Sequence, residues 1–202
     1  MRILSSYSPD EQNMIRIFIA IFFIVATLAS PAQQVADFSL TNVITGSKVS
    51  LATYPSCSGI VIIFTSNACA YDEYYRGRID ALSKEFHDRV PVLLINSSMD
   101  EIESPDNMKR KAQQLGLTVP YLADKDQTVM QRFGATKTPQ AFLLKNDGGN
   151  FSIVYSGAID DNAQVRADVR HDYLKDAIEI MLTNQKIETS EVRPVGCSIR
   201  KK

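Results

Sequence analysis

One cysteine lies where an apolar segment of the chain gives way to a polar one. The segment IIFTSNACAYDEYY, residues 62–75, leaves a β-branched apolar run and places Cys69 just before residues with helical spacing. Unpaired amide groups and the helix dipole stabilise a thiolate at a helix N-terminus. Because the thiolate is the reactive form, this position predicts that Cys69 is a nucleophile. A small buried cysteine that only packs is the alternative that the spacing leaves open.

The other cysteines decide which disulfide chemistry is available. The chain has three, Cys57, Cys69 and Cys197, so at least one is free or bonded to another molecule. A strand of some six residues, at about 3.3 Å each, separates Cys57 from Cys69 and makes it the poorer partner. Cys197 is the candidate second thiol, with a solvent-facing Cys197 in another role as the alternative. The cysteines and histidines lack zinc-site spacing, and we predict no metal or other cofactor.

The flanking segments predict the elements that position Cys69. GIVIIFTS and VPVLLINSS are short apolar runs, as expected for strands buried on both faces. Apolar residues at helical spacing lie between them, and in open α/β sheets chemistry gathers where strand ends meet helix starts. A further helix is predicted to begin after Ser104, with Pro105 in its first turn, and to end at Gly116.

The second half of the chain predicts a different arrangement. Two antiparallel strands turn at Asp147-Gly148-Gly149, a closing helix follows, and residues 185–202 form a polar surface tail that carries Cys197. With a β-hairpin around Thr45-Gly46-Ser47, the order predicts an α/β fold with a mixed central sheet and helices on both faces. We assign residues 33–184 to this single domain.

The N-terminal segment has the pattern of an export signal. From Met14, which we consider a candidate start, MIRIFIAIFFIVATLASPAQQ has one Arg, an apolar run and small residues around Ser30 and Ala32. We therefore predict that residues 1–32 are a leader, cleaved near Ala32, and that the mature chain is periplasmic or extracellular with no membrane span. A retained N-terminal anchor is the alternative, although the apolar run is short for a span of roughly 20 residues.

From about residue 35 onward the sequence resembles the thioredoxin superfamily. It is most similar to the redoxins related to alkyl hydroperoxide reductase C and thiol-specific antioxidant (AhpC/TSA) proteins. The resemblance is carried by DFSL, LLINSS, the segment from SPDNMKRKAQQLG to TKTPQAFLL, YSGAIDD and the terminal VGCSIRKK. It implies a thioredoxin-like fold. It also implies that the Thr138-Pro139 bond is cis and faces the active cysteine, so that Tyr71, Thr138 and Pro139 contact an extended substrate.

The active-site motif departs from the pattern of this subgroup. Relatives usually carry C-x-x-C-P-Y where this chain has SNACAY, so Ser66 replaces the first cysteine and Cys69 is the second. Dithiol exchange within that loop is therefore excluded. A serine three residues before a lone cysteine also resembles peroxiredoxins, which implies that Ser66 hydrogen-bonds the Cys69 thiolate and that Cys197 is a candidate resolving thiol. Arg132 is a candidate charge partner.

Three functions remain open at this point. The first is an exported thiol-dependent oxidoreductase or antioxidant, with peroxide or protein thiols and disulfides as substrates and an external thiol as reductant. The second is a redox-inactive binding module that uses the Thr138-Pro139 groove, and the third is a monothiol that traps partners as mixed disulfides. A net charge of −1, from 22 basic and 23 acidic residues, gives no reason to expect nucleic acid as a partner.

Overall fold

The computed structural model describes residues 33–202, and the predicted leader lies outside the described residues. Four α-helices and eleven strands form this part of the chain. The helices are α1 (Ala70–Phe86), α2 (Pro105–Leu115), α3 (Thr128–Phe133) and α4 (Tyr173–Leu182). The strands are β1 (Gln34–Val35), β2 (Leu40–Asn42), β3 (Lys48–Val49), β4 (Gly59–Phe64), β5 (Val92–Asn96), β6 (Tyr121–Ala123), β7 (Lys137–Thr138), β8 (Gln140–Asp147), β9 (Asn150–Gly157), β10 (Glu191–Val192) and β11 (Cys197–Ser198).

A mixed sheet is the centre of the described domain. Its strands follow the order β1-β9-β8-β4-β5-β6-β2-β3, and β10 pairs with β9 outside this path. Strand β4 runs parallel to β5 and antiparallel to β8. Because successive side chains of a strand point to opposite faces, Val61 and Ile63 enter one core, and Ile60, Ile62 and Phe64 enter the other. All six residues of β4 are buried, as its apolar run predicts.

Helices cover both faces of this sheet, which confirms the predicted fold class. Buried residues of α1, α2 and α4 pack in the core that holds Val61, while those of α3 pack in the core that holds Phe64. The predicted hairpin is also present, since β2 and β3 pair antiparallel across a turn in which Gly46 has a φ of +78°. A positive φ suits glycine, which has no Cβ to clash with the backbone.

The C-terminal tail is more structured than the sequence suggests. Strand β10 pairs in parallel with β9, and β11 forms a separate two-stranded sheet with β7. The polar sequence of residues 185–202 does not predict these two strands. Their pairing uses backbone hydrogen-bonding groups, which every non-proline residue carries. Within residues 33–202, no helix combines the length and apolar character needed to cross a membrane.

Candidate functional site

Cys69 is the N-cap residue of α1. Strand β4 ends at Phe64, a short loop follows, and the helix begins at Ala70. The backbone of Cys69 is extended, with φ −89° and ψ 123°, and its carbonyl accepts a hydrogen bond from the Asp72 amide at 3.2 Å. The predicted position of the cysteine, between a buried strand and a helix start, is therefore the observed one.

Cys69 and Cys197 form a disulfide bond in the structure. The Cα atoms of the two residues are 5.9 Å apart, within the usual range for such bonds. Of the two alternatives for Cys197, the structure thus has the pairing with Cys69. The third cysteine, Cys57, is a free thiol that precedes the opposite end of β4. Burial raises the pKa of the Cys57 thiol, which makes it a poor nucleophile at neutral pH.

The tail places Cys197 directly on the loop of Pro139. The Thr138-Pro139 peptide bond is cis, and Thr138 is the antiparallel pairing partner of Cys197. The Thr138 carbonyl oxygen lies 3.2 Å from the Sγ of Cys69. The backbone edge that the resemblance assigns to an extended substrate is therefore occupied by the protein's own tail.

The side chains of Gln127 and Lys137, and one side chain of the tail itself, hold the tail at this edge. The Gln127 amide donates to the Arg200 carbonyl oxygen at 2.7 Å, and its side-chain oxygen accepts from the Lys202 amide at 2.8 Å. The side chain of Ile199 packs against the core that contains Phe64. Lys137 Nζ donates to Ser198 Oγ at 3.0 Å. Both Gln127 contacts bind backbone groups of the tail, so this part of the tail is held independently of its side chains.

Gly196 allows the closest approach between the tail and the loop. A Cβ atom at this position would lie 2.2 Å from the Thr138 carbonyl oxygen, a backbone atom that cannot move aside cheaply. We expect Gly196→Ala to displace the tail and to make the Cys69–Cys197 disulfide at least about 10-fold easier to reduce, because the two thiols are held together less well. Equilibration with dithiothreitol measures this change.

The matched control for this substitution is Gly77→Ala. A Cβ at Gly77 meets nothing within 4 Å, and the residue is exposed on α1. The control should leave the reduction equilibrium unchanged, because alanine meets no neighbour at this position. Alanine is also a better helix former than glycine by up to about 1 kcal/mol. Equal reduction equilibria for the two variants would contradict the close packing of Gly196 on Thr138.

The two bonded sulfurs differ in exposure. Cys69 is only 5% exposed, whereas Cys197 is partly exposed. A cleft of about 180 Å³ borders both residues. Its lining residues are Ser66, Ala68, Cys69, Ser98, Asp100, Thr138, Cys197, Ser198, Ile199 and Arg200. Small molecules can therefore reach the disulfide from the side of Cys197.

A buried carboxylate holds the loop between β4 and α1. Glu103 is 1% exposed and accepts hydrogen bonds from the Ser66 hydroxyl at 2.5 Å and from the amides of Asn67 and Ala68 at 3.0 and 2.9 Å. The side-chain amide of Asn96 is a fourth donor, at 2.8 Å. The hydroxyl predicted to assist Cys69 is thus directed at Glu103. The role of Ser66 toward the Cys69 thiolate stays a prediction.

A second layer of polar groups supports this carboxylate. Asn96 donates to the Tyr121 hydroxyl, which in turn donates to the Asn67 side chain at 2.9 Å. Lys125 Nζ donates to the Asn96 side-chain oxygen at 2.8 Å. Burial lowers the pKa of Lys125 to about 8, although the nearby Glu103 carboxylate opposes the change. Burial also raises the pKa of Tyr121, so its hydroxyl stays protonated at neutral pH.

Two other candidates, Arg132 and Tyr71, do not line this cleft. The guanidinium of Arg132 donates to the backbone oxygens of Ala36 and Asp37, at 3.0 and 2.8 Å, in the segment before β2. The guanidinium is thus engaged by backbone oxygens, and the role of Arg132 as a charge partner of Cys69 stays a prediction. The ring of Tyr71 packs edge-to-face on Tyr74, outside the residues that line the cleft, and its substrate role stays a prediction.

Comparison with known proteins assigns the family. The model of the AhpC/TSA family matches residues 31–150, more than half of the chain. The protein is a redoxin of the AhpC/TSA family. No curated protein matches the sequence. The redoxin domain so defined contains Cys69 and the Thr138-Pro139 loop, whereas Cys197 lies beyond the matched residues.

Solved structures establish the thioredoxin-like fold. An uncharacterized conserved protein from Geobacillus kaustophilus is 29% identical, with a TM-score of 0.76 over 85% of this chain and 92% of the other. A hypothetical protein from Sinorhizobium meliloti 1021 is 26% identical, with a TM-score of 0.76 over 85% and 94%. A putative thiol:disulfide interchange protein DsbE from Chlorobium tepidum shares the fold at 15% identity, with a TM-score of 0.59 over 75% and 96%.

Sequence reasoning missed Glu103, the residue that holds the loop before Cys69 in this redoxin. It lies in DEIESPD, a polar stretch in which the acidic residues look like solvent-exposed groups. The structure instead forms a 3₁₀ turn at Glu101–Glu103 and buries the third residue under the loop of Ser66. The available signal was the buried strand before this stretch, which ends at Asn96 on the same sheet edge as Cys69.

Proposed function

We propose that this redoxin is an exported thiol-disulfide oxidoreductase whose redox couple is the Cys69–Cys197 pair. The bond itself is the observation that carries the proposal, because it joins a helix N-cap cysteine to a cysteine of a strand laid on Thr138. This pair takes the place of the C-x-x-C that the chain lacks. Protein thiols or disulfides are the substrates, and an external thiol is the reductant.

The exposures of the two sulfurs favour one order of exchange. Attack on a disulfide depends on access and on the stability of the leaving thiolate. An external thiolate attacks the partly exposed Sγ of Cys197, the S–S bond breaks, and Cys69 leaves as a thiolate at the helix N-terminus. A second external thiolate then attacks the mixed disulfide on its outer sulfur and releases Cys197, so that two external thiols become one disulfide and the protein gains two thiols.

The reverse path oxidises the protein and reduces a substrate disulfide. The Cys197 thiolate attacks the substrate and expels one thiol, and the Cys69 thiolate then attacks Cys197 in the mixed disulfide and expels the second. This order exchanges the roles that the sequence predicted, in which Cys69 attacks and Cys197 resolves. The pairing of β11 with Thr138 also indicates how an extended polypeptide substrate would bind, namely as a strand along the same backbone edge.

Two observations favour disulfide exchange over peroxide reduction. Peroxide would convert a thiol to a sulfenic acid, and the second thiol would then form the disulfide and release water. The groups expected to assist are engaged elsewhere, since the Ser66 hydroxyl donates to Glu103 and Arg132 binds backbone oxygens before β2. The binding-module alternative is also less favoured, because the tail covers the Thr138 edge in the disulfide form.

Thiol counting in purified full-length protein tests the proposal. The oxidised protein should carry one reactive thiol after denaturation, that of Cys57, and the reduced protein should carry three. Mixing the reduced protein with oxidised glutathione should return the count to one and release two glutathione thiols per chain. The Cys57→Ser variant should react in the same way, with no reactive thiol when oxidised and two when reduced.

Three outcomes separate the alternatives. A Cys197→Ser variant should stop at a mixed disulfide on Cys69 or fail to react, and a Cys69→Ser variant should trap glutathione on Cys197. Consumption of hydrogen peroxide faster than of oxidised glutathione would favour a peroxidase. A reduced protein inert toward both would leave the binding module as the better description.

The proposed export has its own support and its own test. The leader pattern of residues 14–32 and a disulfide in the redox couple both suit an oxidising compartment. We expect the mature protein recovered from a periplasmic fraction to begin near residue 33, as determined by intact mass. An uncleaved chain in the membrane fraction would instead support the retained anchor.

A further inference from the structure

One carboxylate oxygen beside the redox couple has no hydrogen-bond partner. Asp72 is the third residue of α1, and its Oδ1 accepts from the Thr65 hydroxyl at 2.5 Å. Its Oδ2 is buried and unpartnered, the one side-chain oxygen or nitrogen in residues 33–202 of which this is true. Buried polar atoms are nearly always paired, so an exception calls for an explanation. Asp72 therefore has a free acceptor atom in the protein interior.

This carboxyl group borders an internal cavity between α1 and α2. The cavity has a volume of about 70 Å³ and is also lined by Asn67 and Tyr121. Arg76 and Lys111 line it as well, and because their side chains are 32% exposed, the cavity reaches the protein surface. Most of its wall is apolar, but the polar groups of Asp72, Asn67 and Tyr121 provide partners for water at the end next to Asp72. The cavity offers Asp72 a route for protons to and from solvent.

The same carboxyl group lies next to Cys69. The Asp72 amide donates to the Cys69 carbonyl, and the side chains at the N-cap and third helical positions of a helix are neighbours. The Cys69 sulfur in turn lies 3.2 Å from the Thr138 carbonyl oxygen. Asp72 therefore follows the reactive cysteine within the first turn of α1, and its side chain also lines the cavity.

The surroundings of Asp72 allow it to gain and lose a proton near neutral pH. Burial raises its pKa to about 7, against the opposing effect of the hydrogen bond from Thr65, and the nearby Glu103 carboxylate adds to the rise. The two cations of the cavity, Arg76 and Lys111, are paired with Glu73. Asp80, which also lines the cavity, is paired with Lys84, and the pKa of Tyr121 is raised well above neutrality.

We propose that Asp72 exchanges a proton with Cys69 each time the Cys69–Cys197 bond closes or opens, and that the cavity connects Asp72 to solvent. The inference rests on the proposed function. On closing, the Asp72 carboxylate takes the proton of the Cys69 thiol, and the resulting thiolate attacks Cys197 in a mixed disulfide and expels the substrate thiolate. On opening, the Asp72 carboxylic acid protonates the Cys69 thiolate as it leaves. Water in the cavity then restores the original form of Asp72.

The test follows the pH dependence of the closing step. Reduced protein is mixed with oxidised glutathione, and the conversion of the mixed disulfide on Cys197 to the internal bond is timed by acid quench and mass spectrometry. In the wild type the rate should rise with pH and reach half its maximum near pH 7, because the carboxylate form is the base. In Asp72→Asn the pH at which the rate is half-maximal should move to the range of an unassisted thiol, about pH 8.5 or above. With equal maximal rates, the rate at pH 7 should fall about 15-fold or more.

A second substitution and a second readout keep the test specific. Asp88→Asn, at an exposed residue beyond the end of α1, should match the wild type at every pH. Redox-difference infrared spectra of the wild type should contain a carboxylic-acid carbonyl band that Asp72→Asn lacks. This band depends on proton exchange by the side chain and does not require a rate measurement.

The outcomes separate this inference from the proposed function. If Asp72→Asn keeps the wild-type pH profile and the infrared band persists, Asp72 does not exchange the proton, while the Cys69–Cys197 couple stands. If the wild type itself forms no internal bond with oxidised glutathione, both proposals are overturned. A half-maximal rate near pH 7 that Asp72→Asn shifts and Asp88→Asn does not would establish the role of Asp72.

Discussion

Replacing Cys197 by serine is expected to lower the free energy of unfolding of the oxidised protein by about 3–5 kcal/mol. The Cys69–Cys197 bond spans 128 residues of sequence, so it removes much conformational freedom from the unfolded chain. The backbone contacts of the tail remain in the variant, but they are few and partly exposed. Urea denaturation, followed by circular dichroism with and without dithiothreitol, measures the difference.

The controls for this prediction use the same assay. Cys57→Ser should stay within about 1 kcal/mol of the wild type, because Cys57 is outside the bond and only partly buried. Dithiothreitol should destabilise the wild type and Cys57→Ser but leave Cys197→Ser unchanged. A wild type whose stability is the same with and without dithiothreitol would contradict a stabilising bond between the tail and α1.

Replacing Glu103 by alanine is expected to destabilise the domain by about 3–5 kcal/mol, the range for breaking a buried charged pair or network. The substitution would leave the Ser66 hydroxyl, the amides of Asn67 and Ala68 and the Asn96 side chain without their common acceptor. Each unsatisfied buried donor costs about 1–3 kcal/mol. Glu103→Gln, which keeps the shape and one acceptor oxygen, should cost less.

A neighbouring residue provides the matched control. Glu101 belongs to the same 3₁₀ turn but is exposed, and Glu101→Ala should change stability by less than about 0.5 kcal/mol. Because Glu103 holds the loop before Cys69, Glu103→Ala should also speed alkylation of the reduced Cys69 thiol. Equal stability of the two alanine variants would show that the loop does not depend on the buried carboxylate.

The local elements could be predicted because each depends on residues close together in sequence. The uninterrupted apolar run of β4 identifies a strand covered on both faces, and Pro105 and Gly116 mark the two ends of α2. Gly116 has a φ of +60°, a conformation that glycine adopts without a steric penalty. The position of Cys69 at the end of a strand and the start of a helix follows from the same local signals.

The composition of the site followed from contacts that sequence spacing does not encode. Glu103 is 37 positions from Ser66, and its burial depends on how the turn after β5 packs over the loop of Cys69. Two of its four hydrogen-bond donors are backbone amides, which look the same in every sequence. An acidic residue in a polar segment therefore gave no sign of its role.

By itself the sequence determined the class of fold, the strand-to-helix position of Cys69 and the absence of a second cysteine in its loop. Only the tertiary structure decided which thiol replaces that cysteine. Strand β11 has two residues and pairs through its backbone, and Gly196 approaches Thr138 because it has no Cβ. Such a short backbone pairing has no periodic side-chain pattern that a sequence could reveal. The path of the tail to Cys69 therefore follows only from the folded position of the Pro139 loop.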